Sequence, residues 1–212
     1  MALKLMLMIV SAALPVLSVS PGAHQFMSDE GRDSVAVRRV LAAALGRRAS
    51  DPDLAVRGMT QQFYRGVEIF IGEAPGEHTM SRALVAVLPD SSLLPLGCAT
   101  SRNILQMLVT PTVEPESSAA YIALLAQIGG DVPPVARPID HPSQLPRWVT
   151  DWAKQHAVRI DSTTTETLPS GERRLSLILW GDALYRVVAI LGRDRRDDRI
   201  VQVRLLVGSP PG

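Results

Sequence analysis

The pattern of apolar positions divides the chain into segments of period 3.6, segments of period two and continuous apolar runs. Val37, Val40, Leu41, Ala44 and Leu45 recur at helical spacing and predict a first helix within 28–48. Asp33 or Ser34 is placed to cap its start and Gly46 to end it. Asp51-Pro52-Asp53-Leu54 has the form of a second, short helix start, with Asp as cap and Pro in the first turn. From Phe63 the period becomes two. Val67, Ile69 and Ile71 alternate with Gly66, Glu68 and Phe70, which predicts a strand ending at Gly72. Arg82–Leu88 is a continuous apolar run and predicts a strand buried on both faces. Ile104–Val109 is apolar without a decisive period. A third helix opens at Glu116-Ser117-Ser118, runs through Ile128 and stops at Gly129-Gly130.

Five of the sixteen prolines fall in 131–146, which predicts an extended, irregular connector. Beyond it, Ser143 heads a helix carrying Leu145, Trp148, Val149, Trp152 and His156 on one face. Four strands follow, Val158–Leu168, Arg173–Trp180, Leu184–Leu191 and Arg199–Val207, joined by turns short enough for consecutive antiparallel hairpins. The predicted class is α+β, with helices and short strands in 24–130, the connector, then a helix and antiparallel meander in 147–212. One helix leading into four meandering strands is also the order of cystatin-like folds; the likeness is of order alone, and order does not give function.

The first residues change the picture of where the protein works. Lys4, the apolar run Leu5–Leu17 and the small residues from Ser18 to Ala23 have the three-part form of a secretory signal. The run is shorter than the roughly 20 residues of a membrane-spanning helix, and Pro15 interrupts it. Val16-Leu17-Ser18 and Ser20-Pro21-Gly22 each offer a cleavage position. Residues 1–23 are therefore expected to be a signal peptide, and the protein to be periplasmic or secreted in a bacterial-type cell. Retained instead of cleaved, the same segment would be a membrane anchor.

Charge and cysteine content remove whole classes of function. Twenty-two Lys and Arg against 21 Asp and Glu give a net charge of +1. Without Lys4 the balance is 21 against 21, which lacks the electrostatic attraction of a nucleic-acid binder. A single cysteine, Cys98, permits no internal disulfide framework and no Cys-rich zinc site.

No catalytic set emerges from the remaining residues. Cys98 lies among small residues, and a nucleophilic role would need His78, His141 or His156 as base; the residue type favours a buried small hydrophobe. Glu73, Glu77 and His78 flank Pro75-Gly76, which breaks the spacing a metal site needs. Asp140 and His141 are adjacent in an extended segment, so their side chains diverge. Trp148 and Trp152 offer an aromatic platform, but core packing explains them with less assumption. Arg193, Arg195, Arg196 and Arg199 interleave with Asp194, Asp197 and Asp198 as a solvated hairpin tip. No catalytic, cofactor or metal residues are assigned, and Cys98, His141 and Trp152 stand as the binding candidates. The sequence reads as an exported, non-catalytic binding or interaction module whose partner is another envelope or extracellular protein. Two alternatives stay open: a small exported hydrolase using Cys98 or a scattered Ser/His/Asp set, and a secretion or envelope-assembly component with an uncleaved anchor.

Overall fold

Residues Tyr121–Ile128 are apolar at nearly every position, with no polar face to give to solvent, so a helix built from them must be covered all round. The computed structural model, which describes residues 33–77, 79–160 and 163–207, shows how. Residues 31–212 form one compact unit with four α-helices and nine strands among the described residues. The helices are α1 (Asp33–Ala44), α2 (Ala99–Leu108), α3 (Ser118–Ile128) and α4 (Arg147–Gln155). The first sheet is an antiparallel meander of β1 (Ala55–Met59), β2 (Glu68–Pro75), β3 (Met80–Val87) and β4 (Leu93–Leu96). The second contains β5 (Arg137–Pro138), β6 (Thr164–Thr167), β7 (Arg173–Trp180), β8 (Leu184–Leu191) and β9 (Arg199–Val207). Its strands β6 to β9 pair in sequence order, and β5 also pairs with β7. The fold is α+β.

Alternation along the strands sets the layers. In the first sheet Ile69, Ile71, Leu84 and Ala86 turn to α3, while Phe70, Ala83 and Val85 turn to Val37 and Leu41 of α1. In the second, Leu175, Leu177, Leu179, Val187, Ala189 and Leu191 turn to α3 from the other side. Ile178, Leu184 and Val207 face outward and are covered by Val149 of α4. The helix α3 thus lies between two sheets, and residues 121–129 are all buried.

Several local expectations are corrected by the packing. Asp51 does not cap a helix; its Oδ1 accepts the Asp53 amide at 2.9 Å, a side-chain turn that feeds β1. Of the expected strand from Val158 to Leu168, only Thr164–Thr167 pairs. Ser143 does not head α4, whose N-terminal flank is Pro146; its amide instead donates to His141 Nδ1 in a single 3₁₀ turn. On α4 the fully covered residues are Val149 and Ala153, whereas Trp148 is 38% exposed. The proline-rich stretch is irregular yet well anchored, with Val132, Ala136, Ile139 and Leu145 buried and the Ile139 amide donating to Ile178 O at 3.0 Å. Residues 1–23, His24, His78 and the side chains of Asp33 and Ser34 lie outside the described residues.

Candidate interaction surface

The helix α2 keeps apolar residues on its outer face. Its start is fixed by Cys98, extended at φ −146°, whose Sγ accepts the Ser101 amide at 3.5 Å while Ser101 Oγ accepts the Cys98 amide at 3.3 Å. This reciprocal cap satisfies two amides that the first helical turn leaves open. The chain turns extended again at Val109, and Pro111 prevents further helix.

Its buried face carries Ser101, Arg102, Leu105 and Gln106. Arg102 pairs with Asp131 beyond α3. Gln106 Nε2 donates to the carbonyls of Asp198 at 3.0 Å and Arg195 at 3.3 Å, in the loop between β8 and β9. The outward face carries Ile104, Met107 and Leu108, which are 39%, 72% and 60% exposed. Those three positions are i, i+3 and i+4, so they form one patch. Leu105 anchors the inner face in the core beside three polar residues, and the outer face keeps an exposed apolar patch that burial of Leu105 alone does not cover. Leu105 and the polar residues beside it hold α2 to the body, and Ile104, Met107 and Leu108 remain exposed.

Behind Gln106 lies a buried polar chain. Tyr64, Tyr121 and Asp198 are almost wholly covered, and the Tyr121 hydroxyl interacts with both the Tyr64 hydroxyl and the Asp198 carboxyl. Asp198 Oδ1 accepts the Gly192 amide at 2.8 Å, and Arg195 Nη1 stands 3.7 Å from Oδ2. Burial is the main influence, and it raises the Asp198 carboxyl to about 6 despite Gly192 and Arg195. Burial likewise raises the Tyr64 hydroxyl to about 12 and moves the Tyr121 hydroxyl up.

The candidates read from sequence are scattered. Cys98 is exposed at the head of α2, which overturns its reading as a buried hydrophobe: capping needs its sulfur at the helix end. Hydrogen bonds from Ser101, first the hydroxyl and then the amide, lower its thiol pKa. His141 caps the 3₁₀ turn through Ser143, with Nδ1 2.8 Å from Ser143 Oγ. Trp152 is half-buried against the α4 cluster and stacks on His156 with ring centroids 4.3 Å apart. Trp148 meets Trp180 edge-on at 6.0 Å. Glu73 is held by Arg82 and Arg57, which lower its carboxyl pKa. Among the described residues no group of three His, Cys, Asp or Glu side chains converges as a metal site, and no helix is long and apolar enough to cross a membrane.

The chain matches no family model, no curated protein and no solved structure. Its surface therefore has to be interpreted on its own chemistry. Ile104, Met107 and Leu108 belong to the apolar run Ile104–Val109, whose pattern does not tell that their face is the exposed one. Their i, i+3, i+4 spacing was available, but an apolar stripe is ordinarily the buried one, and Leu105 within the same run blurs it.

An exposed thiol of lowered pKa makes a direct prediction. Cys98 in the native protein should react with a disulfide reagent near neutral pH about as fast as in denaturant. Native labelling slower by a hundredfold or more would show Cys98 to be shielded.

Proposed function

We propose that the protein is an exported, non-catalytic interaction module of the cell envelope or exterior, and that it docks through the outward face of α2. The observation that carries this reading is the exposed apolar patch on α2, with Ile104, Met107 and Leu108 outside and Ser101, Arg102, Leu105 and Gln106 inside. An apolar stripe at helical spacing fits an apolar groove on a second protein, with residues at i, i+3 and i+4 as anchors. The signal-like start of the chain supports a partner in the envelope or beyond it. The hydrolase alternative needs a base beside Cys98. The two histidines among the described residues are engaged elsewhere, His141 with Ser143 and His156 with Trp152.

The test places a photo-crosslinking residue at Met107 in the native host, with Gln155 on α4 as the control position. The expected result is one discrete adduct with an envelope or extracellular protein, formed from 107 and not from 155. Ile104→Asp with Leu108→Asp should reduce that adduct at least tenfold while leaving stability within about 1 kcal/mol, since both sites are exposed. An adduct insensitive to those changes, or an adduct with a second copy of this chain, overturns the docking assignment. Recovery of the protein only from the cytosol with Met1 in place overturns export.

A further inference from the structure

The outward face of the second sheet is only partly covered. The helix α4 packs over Ile178, Leu184 and Val207, and at the far end of the same face Thr164, Glu166, Arg174 and Gln202 are exposed around a buried Val188. There the register aligns Thr164 with Ser176, Ser176 with Val188 and Val188 with Gln202, a row across four strands. These residues, with Glu166, Arg174 and Arg186, line an open depression of about 330 Å³. That volume is at the low end of small-molecule sites, which suits a ligand of monosaccharide size.

The charge around this depression is unbalanced. Arg186 and Arg204 stand directly opposite each other on β8 and β9, so both side chains rise from the same face. Like charges in that relation oppose strand pairing. Arg174 lies on the same face, and none of the three arginines has an ion pair among the described residues. Glu166 is opposite Arg174 but does not pair with it. Arg186 Nη2 donates to the Arg159 carbonyl at 2.8 Å, which fixes a half-buried guanidinium at the rim.

We propose that this face binds a small hydroxyl-bearing anion of the sugar-acid or sugar-phosphate class. Arg186, at one end of the depression, would hold its carboxylate or phosphate, because guanidinium matches both groups with paired hydrogen bonds, and Arg174 closes the other end, four residues along the register. Thr164, Ser176 and Gln202 along the floor offer donors and acceptors for hydroxyl groups. An anion here would also offset the repulsion between Arg186 and Arg204. The site is on a different sheet from α2 and does not depend on its docking role.

The test titrates glucuronate, glucose 6-phosphate and neutral glucose into the full chain, read by amide NMR shifts at 150 mM salt. Expected is saturable movement of Ser176, Val188 and Gln202 amides with one of the two anions, at least tenfold weaker with glucose. Arg186→Gln should weaken that binding at least tenfold, and Arg204→Gln should weaken it severalfold. Circular dichroism melts confirm that both variants fold. Shifts that stay linear with concentration, that move Arg147 and its exposed neighbours equally, or that survive Arg186→Gln overturn the site.

Discussion

Gly130→Ala should lower the stability of the protein by about 3 kcal/mol or more, from a total of roughly 5–15 kcal/mol. Two independent costs meet at this residue. Its φ is +74°, a left-handed conformation that costs an L side chain about 1–2 kcal/mol. An added Cβ would also stand 2.1 Å from the Gly97 carbonyl oxygen, which is backbone and cannot rotate away. The obstruction matters because Gly97 is tied to the end of α3 by its amide, which donates to Ile128 O at 2.9 Å. Relieving it would shift the chain leading into α2, and over-packing of this kind costs a further 1–3 kcal/mol or so. Gly46→Ala is the control, with φ +65° and open space around the added carbon, and should cost about 1 kcal/mol. Urea melts of both variants measure the difference. Equal losses would mean that the contact between Gly97 and Gly130 yields without cost.

Asp198→Asn should stabilise the protein at pH 7.5 by about 2–3 kcal/mol and flatten its stability between pH 4 and 6. Burial raises the folded carboxyl from 3.8 to about 6, so the folded state holds its proton more tightly than the unfolded chain does. The stability from this group is therefore fully present below about pH 4 and is lost as pH rises through about 6. Two pKa units correspond to about 3 kcal/mol. Asparagine keeps an oxygen for the Gly192 amide and carries no charge at any pH. Glu73, lowered by Arg82 and Arg57, and Glu172, lowered by Ser170 and then Arg199, impose the opposite slope at acid pH, but equally in parent and variant. The difference between the two melts, followed from pH 4 to 7.5, isolates Asp198. A constant difference over that range would show that the buried carboxyl does not titrate there.

Much of the second sheet is legible in the chain. The bounds Arg173–Trp180, Leu184–Leu191 and Arg199–Val207 are those of β7, β8 and β9, because two alternating apolar strands flank one that is apolar on both faces, with turn residues between them. The third helix is equally plain, ended by Gly129-Gly130. What local pattern does not carry is which surface covers which. Trp148 and Trp152 look like the core of α4 by size, yet Val149 and Ala153 are the buried residues, and Trp152 packs at the margin of their cluster. Strand β4, four residues with Pro95 on an edge, has no period long enough to detect. The exposure of Ile104, Met107 and Leu108 is hidden for a deeper reason. Hydrophobic patterning identifies an apolar face, and only the tertiary structure says whether that face is turned inward.

The position of α3 also determines how the protein comes apart. Its first-sheet side and its second-sheet side are both apolar, and neither sheet closes its core without it. Removing either sheet would turn an apolar face of α3 to water, so neither half of the chain is expected to fold alone. The two sheets should therefore lose their order together, with ellipticity and tryptophan fluorescence changing at one denaturant midpoint.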